Sequence, residues 1–160
     1  HNTFDINGNN TVVCNINKPI VAIAIQKGVS VFKIESPDMW ENYGFVHDIF
    51  AVFKKYKVDV NIITTSQFSV HTTTDETTEC KLKRVQNELT EKYCVNVETD
   101  CSIVSLVSNK LNELNINRLM SDDNNPIIKH FSSSKKNVSI VIKNENIRDI
   151  VNNLHTYYSG

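Results

Sequence analysis

Gly44-Phe45-Val46-His47-Asp48-Ile49-Phe50-Ala51-Val52-Phe53, followed by Val58-Asp59-Val60-Asn61-Ile62-Ile63-Thr64-Thr65-Ser66-Gln67-Phe68-Ser69-Val70, is the stretch that decides the fold. In its first part Phe45, Val46, Ile49, Phe50, Val52 and Phe53 recur at the 3.6-residue period, a wide apolar stripe that predicts a helix starting near Gly44. Lys54, Lys55 and Lys57 fall in its last turn, where positive charge suits the helix dipole. In the second part Val58–Thr64 and Phe68–Thr74 read as strands joined tightly through Thr65-Ser66-Gln67. Upstream, Ile20–Ile25 and Val29–Ile34 are strand-like, with Gln26-Lys27-Gly28 as a turn between them. Ser36-Pro37-Asp38 stops the second of these, because Pro37 cannot donate to a ladder and restricts the residue before it. Downstream, Asp75-Glu76-Thr77-Thr78 opens a second helix carrying Leu82, Val85 and Leu89 on one face. Val95 and Val97 then alternate with polar residues in a closing strand, so the order is β-α-β-β-α-β.

That order repeats. Ser102–Val107 reads as a strand, Asn112–Ser121 as a weak helix bearing Leu114, Ile116 and Leu119, and Ile127–Phe131 and Val138–Ile142 as strands. A last helix, Ile147–Tyr158, aligns Ile147, Ile150, Val151 and Leu154. Pro126-Ile127-Ile128-Lys129-His130-Phe131 stands where Asn61-Ile62-Ile63-Thr64-Thr65-Ser66 stands earlier, and Asn137-Val138-Ser139-Ile140 echoes Phe68-Ser69-Val70. The expected fold class is α+β, two ferredoxin-like βαββαβ modules. Residues 1–18, rich in asparagine and without periodicity, read as a loop or linker.

Composition narrows the function. Across 160 residues, 17 Lys and Arg face 18 Asp and Glu, a net charge of −1, so a nucleic-acid partner is not expected. The basic pairs Lys54-Lys55 and Lys135-Lys136 read as solvated faces. No apolar run is long enough to span a bilayer and no secretory pattern opens the chain, so no membrane partner and a cytoplasmic location are expected. The four cysteines show no Cys-x-x-Cys spacing and read as free thiols, Cys94 and Cys101 as small buried hydrophobes. The five histidines form no His-x-x-x-His pair, so no metal site is expected. Gly8, Gly28, Gly44 and Gly160 are scattered, and no loop cradles a nucleotide's phosphates. No catalytic residue is indicated. The segment Ser36–Phe50 is more suggestive: a strand ends in a long loop that feeds a helix starting at Gly44. Free N–H groups at a helix start attract a carboxylate. The plainer alternative is that Gly44 merely eases the chain into a packed helix.

Tyr43-Gly44-Phe45-Val46-His47-Asp48-Ile49-Phe50 and Val58–Val70 together resemble the first ACT module of aspartate kinases, whose pattern runs Gly-Phe-Leu-x-x-Val-Phe, a gap, then Val-Asp-(Leu/Val)-Ile-x-Thr-Ser-Glu-(Val)-Ser-(Val/Ile). Asn2-Thr3 and Lys18–Ala24 resemble the linker and strand after that family's kinase domain, and Ser102–Val107 the opening of its second module. The resemblance implies a linker over residues 1–18, a first ACT module over 30–100, and a second over 19–29 plus 101–160, the first inserted in the second. It implies the regulatory region of an aspartate kinase, the enzyme that phosphorylates L-aspartate with ATP in lysine, threonine and methionine biosynthesis. The family's Lys-Phe-Gly-Gly-Thr-Ser motif is absent from this chain, so no activity and no cofactor are expected here; ATP and Mg²⁺ would serve the missing kinase domain. It further implies a homodimer and an amino-acid effector held between paired modules.

Carried over position by position, the effector site comprises Met39, Asn42, Gly44, Phe45 and Val46 from the loop and helix start, with Val60, Asn61, Ser66 and Gln67 from the strand and turn beyond. Lysine-sensing relatives have Asp where this chain has Asn61, and Glu where it has Gln67. An ammonium buried without an acid is costly, and amides suit a neutral side chain, so threonine is expected before lysine. In the second module Lys129–Ser134 departs from the family's Gln-Gly-Ala/Ser turn. The rival reading is an ACT dimerisation module that binds no ligand.

Overall fold

A computed structural model describes residues 11–13, 22–40, 43–107, 127–132 and 136–152. Its strands and helices are β1 (Thr11–Val13), β2 (Ala22–Glu35), α1 (Phe45–Lys55), β3 (Ile63–Thr65), β4 (Ser69–Thr74), α2 (Glu79–Thr90), β5 (Cys94–Val107), β6 (Ile127–Ser132) and β7 (Asn137–Lys143). Two compact units result: a contiguous one over Gly28–Cys101, and a split one from His1–Lys27 with Ser102–Gly160.

In the contiguous unit the chain runs strand, helix, strand, strand, helix, strand, and the strands lie in the order β3-β4-β2-β5. β4 pairs antiparallel with both neighbours, in registers that include Phe32↔Thr72, Ile34↔Val70 and Thr64↔His71. Alternation sends Phe32, Ile34 and Val70 into one core with Ile49 and Phe53 of α1 and Leu82, Val85 and Leu89 of α2. The rings of Phe32 and Phe53 meet edge to face, 5.0 Å between centroids. Across the strands Lys33 pairs with Glu98.

α1 ends in a Schellman arrangement. The Val58 N–H reaches Phe53 O at 3.0 Å and the Lys57 N–H reaches Lys54 O at 3.1 Å, with Lys57 left-handed at φ 54. Val58 and Phe53 are both buried in the core cluster, the apolar contact this motif favours. A second clasp holds the two helices: the Lys55 ammonium and the Tyr56 hydroxyl both donate to Glu88 Oε2, each at 2.7 Å.

The split unit has its own core of Ile23, Val104, Leu106, Val138, Ile140, Ile142 and Ile150. β1 pairs antiparallel with Ala22–Ala24 of β2, β7 lies between β5 and β6, and residues 147–152 are helical. Ser105 and Ser139 share a hydroxyl hydrogen bond of 2.8 Å, and Ser102 bonds to Asn144.

Several sequence expectations need correction. Ile20–Ile25 and Val29–Ile34 are not two strands across a turn: Ala22–Glu35 is one strand, in which Gly28 takes φ 72 without a reversal. Likewise the Val95/Val97 strand and Ser102–Val107 are one strand, with Asp100 at φ 59. Left-handed residues inside strands mark bulges, which bend a strand instead of ending it. Within the expected linker 1–18, Thr11–Val13 is a strand. The expected strand Val58–Thr64 is reduced to Ile63–Thr65, because the Schellman turn consumes Lys57 and Val58. Cys94 is exposed at the start of β5, whereas Cys101 is buried. The expected helix over 112–121 lies outside the described residues.

Candidate functional site

β2 runs antiparallel to β4, so the exit of β2 lies beside the β3–β4 turn. The Ser36 N–H donates to Phe68 O at 3.1 Å and fastens the two connections. Pro37–Trp40 then forms a 3-10 turn whose Asp38 N–H reaches Ser36 Oγ at 3.3 Å. Gly44 caps α1 at φ 85, a conformation that side chains resist. Gly44 has no side chain with which to cap this helix, and among the described residues no side chain is bonded to its first N–H groups, which carry the positive end of the dipole.

Met39, by its backbone, Gly44, Phe45, Val46, Ser66 and Gln67 belong to this one end of the contiguous unit. Phe45 is half-buried against the core, while Gly44, Val46 and Gln67 are exposed. Ser66 is occupied in its own turn: its N–H donates to Ser69 O at 2.8 Å and its hydroxyl shares a bond of 2.6 Å with the Ser69 hydroxyl. Exposed Tyr43 and Phe68 add an apolar rim. Asn42 lies outside the described residues.

Val60 and Asn61 are elsewhere. The Asn61 N–H donates to Thr73 O at 2.8 Å, and Ile62 is held by both the Thr72 and the Thr73 hydroxyls, which sets this stretch against the far end of β4. Asn61 and Ser66 stand five positions apart along the chain, on either side of β3, a span of up to roughly 16 Å at about 3.3 Å per residue. The eleven residues of α1 give a similar span of about 16 Å at 1.5 Å each. Within one copy of the unit, then, the eight expected residues that are described fall into two clusters at opposite ends.

Sequence reasoning passed over Tyr93. It follows α2, its N–H donating to Leu89 O at 2.9 Å, and it joins the core cluster that holds Ile49. The residue is 8% exposed, and its hydroxyl is buried with no hydrogen-bond partner among the described residues. Burial first, and the charge of Asp48 second, push its phenol above the ordinary range, so it stays a donor. Nothing in the text around Glu91-Lys92-Tyr93 signals an orphaned hydroxyl; that property comes from packing.

Among the described residues no group of three or more His, Cys, Asp and Glu could hold a metal ion. No described helix is long and apolar enough to cross a membrane.

No family model matches the chain. Similarity to individual proteins is more telling. Aspartokinase 3 (chloroplastic) of Arabidopsis thaliana is 26% identical over 151 residues, covering 87% of this chain and 27% of its own length. Lysine-sensitive aspartokinase 3 of Escherichia coli is 25% identical over 160 residues, covering 91% and 35%. The homologues of this chain are aspartokinases. The match falls on their C-terminal part, and the chain spans only about a third of these aspartokinases or less. The aspartokinase likeness holds in the fold. The regulatory subunit of aspartate kinase from Thermus thermophilus, solved without ligand, superposes with a TM-score of 0.65 at 16% identity, covering 87% of this chain and 98% of that subunit. The ACT-type α/β fold with an antiparallel sheet is therefore the fold of aspartokinase regulatory domains.

Proposed function

We propose that this chain is the amino-acid-sensing regulatory region of an aspartate kinase, with no catalytic role of its own. The observation that carries the reading is the uncapped start of α1 at Gly44, fastened beside the β3–β4 turn through Ser36 and Phe68. An α-carboxylate docked on those N–H groups gains the helix dipole, about 0.3–1 kcal/mol at an exposed site and up to ~2 when partly buried. Val60 and Asn61, at the far end of the same unit, meet that carboxylate's amino acid only if a second copy supplies them. The working form is thus a symmetric homodimer in which the Gly44 end of one copy faces the Asn61 end of its partner. The tandem division follows the compact units, the contiguous one sensing and the split one completing the regulatory region. The attached kinase domain, with ATP and Mg²⁺, would respond because the effector binds two arrangements unequally. The setting is cytoplasmic.

Threonine is the effector proposed before lysine. Asn61 and Gln67 are exposed amides, which offer hydrogen bonds to a hydroxyl but no charge to an ammonium. Losing one charge-assisted hydrogen bond costs about 1.5–3 kcal/mol, tenfold to a hundredfold in affinity. The lysine sensitivity of the E. coli relative makes this a sharp test. Calorimetry with threonine and lysine side by side is expected to give tighter threonine binding, and Asn61→Asp to improve lysine. Lysine binding tighter to the unmodified chain would refute the effector. A monomer at high micromolar concentration in light scattering would count against the homodimer, and silence toward every amino acid would favour the ligand-free dimerisation module.

A further inference from the structure

From Ile63, which stands opposite Thr72, β3 meets β4 in a regular ladder. Just before it the count slips by one. The Asn61 N–H takes the Thr73 carbonyl at 2.8 Å, while the Thr73 N–H returns to Ile62 O at 3.0 Å. Two residues thus oppose one, a β-bulge. The Ile62 N–H, displaced from that carbonyl, donates to the Thr73 hydroxyl at 3.1 Å, and the Thr72 hydroxyl donates to Ile62 O at 3.0 Å. Both threonines are fully buried, and alternation along β4 brings their hydroxyls to Ile62 from opposite faces of the sheet. The slip decides where Asn61 points. Ile63 and Thr72 share the face from which Val70 joins the core. Counted back by strict alternation, Asn61 would lie on that core face and Val60 off it. The opposite is seen: Val60 packs against the core cluster and Asn61 is exposed. One extra residue reverses the faces of those before it.

Resting on the effector reading above, we propose that Thr72 and Thr73 are positioning residues of the effector site: their hydroxyls hold the bulge that turns the Asn61 amide out of the core and toward the ligand. The choice of effector then depends on two buried hydroxyls that the ligand never touches. Without them the Ile62 N–H and carbonyl each lose a partner. The regular register, in which the Ile62 N–H regains the Thr73 carbonyl, then competes with the bulge. That register carries Asn61 inward and brings Val60 to the surface in its place.

The test uses the full chain with Thr72→Val, Thr73→Val and Thr73→Ser, each alone and combined with Asn61→Asp, and calorimetry with threonine and lysine as probes. Valine suits a buried strand position and has nearly the shape of threonine, so the fold is kept. Threonine affinity is expected to fall about threefold to tenfold in either valine variant, the loss of one neutral hydrogen bond. It should return in Thr73→Ser, which keeps the hydroxyl. Asn61→Asp is expected to improve lysine binding in the unmodified and Thr73→Ser chains and to lose that gain in Thr73→Val. A fall in stability alone would not produce this coupling. Position 61 can also be read without a ligand. An Asn61→Cys thiol, separated from Cys80 and Cys94 by peptide mapping, should label quickly, and more slowly once Thr73→Val is added. Equal labelling with and without Thr73→Val, or threonine affinity unchanged in both valine variants, would overturn the inference alone. No amino acid binding to the unmodified chain would overturn the effector reading and the role of the two threonines with it.

Discussion

The two ends of α1 carry the same backbone conformation with opposite residue choices, which allows one energy term to be measured twice. Gly44 at its start has φ 85, and Lys57 just past its end has φ 54. A Cβ built on Gly44 meets nothing within 4 Å, so Gly44→Ala would lose stability through backbone conformation alone, without a clash. An L-residue in the left-handed region costs roughly 1–2 kcal/mol, less about 0.4–1 recovered because alanine restricts the unfolded chain. The expected net loss is about 1 kcal/mol. At Lys57 the signs reverse: Lys57→Gly removes the same strain, keeps the bonds of Val58 and Lys57 to Phe53 and Lys54, and is expected to gain about 0.5–1 kcal/mol. For a chain of this size each kcal/mol moves the melting temperature by about 2–4 °C. Urea unfolding of the two variants beside the unmodified chain is the assay, read at constant slope. A neutral or stabilising Gly44→Ala would show that Gly44 leaves the left-handed region in solution, and the open helix start would lose its geometric basis. A loss above about 3 kcal/mol would point to a steric contact that this geometry lacks.

Phe53→Ala empties a buried position beside Phe32, and a loss of about 3–5 kcal/mol in urea unfolding is expected. Glu76 is held to a pKa of about 2, first by the Lys81 ammonium at 2.6 Å and then by Thr78. Since this folded-state value is below the ordinary 4.5, its stabilisation is present above pH 4.5 and lost as pH falls toward 2. Glu76→Gln should flatten the pH dependence of the urea midpoint over that window, and an unchanged profile would show that the Lys81 contact is not held in solution. Thiol labelling followed by peptide mapping should modify exposed Cys80 and Cys94 quickly in the native chain and Cys101 only on unfolding. Rapid native labelling of Cys101 would contradict its burial.

The helices were the most legible part of the chain, because burial follows the 3.6-residue stripe: Ile49 and Phe53 in α1, and Leu82, Val85 and Leu89 in α2, are the buried positions. Strand ends were less so. Gln26-Lys27-Gly28 has the composition of a turn, yet β2 continues because its edge partner changes from β1, last paired at Ala24, to β4, first paired at Ser30. No local pattern announces such a change of neighbour. Val46 sits on the apolar stripe but is exposed at the first turn of α1, and edge strand β3 leaves Ile63 half-exposed. The expected site was legible as two motifs, the helix start and the strand with its turn. Their separation by the length of α1 was not, since it depends on strand direction and on where the Schellman turn ends the helix. Tyr93 was invisible for a related reason: a hydroxyl's lack of partners belongs to the packed state.

The way the two units share the chain also sets a folding order. The contiguous unit holds every one of its strands and helices between Gly28 and Cys101, whereas the split unit must bring together Ala22–Lys27 and Ser102–Val107 across those 74 intervening residues. Closing a disordered loop of that length costs about 4 kcal/mol in chain entropy, from (3/2)RT ln n. Once the contiguous unit has formed, its two ends lie in the neighbouring strands β2 and β5, and that closure is already made. A ribosome emits the segments in the favourable sequence, with residue 101 out before the remaining strands β6 and β7 exist. Damage to the contiguous core, as in Phe53→Ala, should therefore slow assembly of the split unit, while damage to Ile140 should leave the contiguous unit's folding rate untouched.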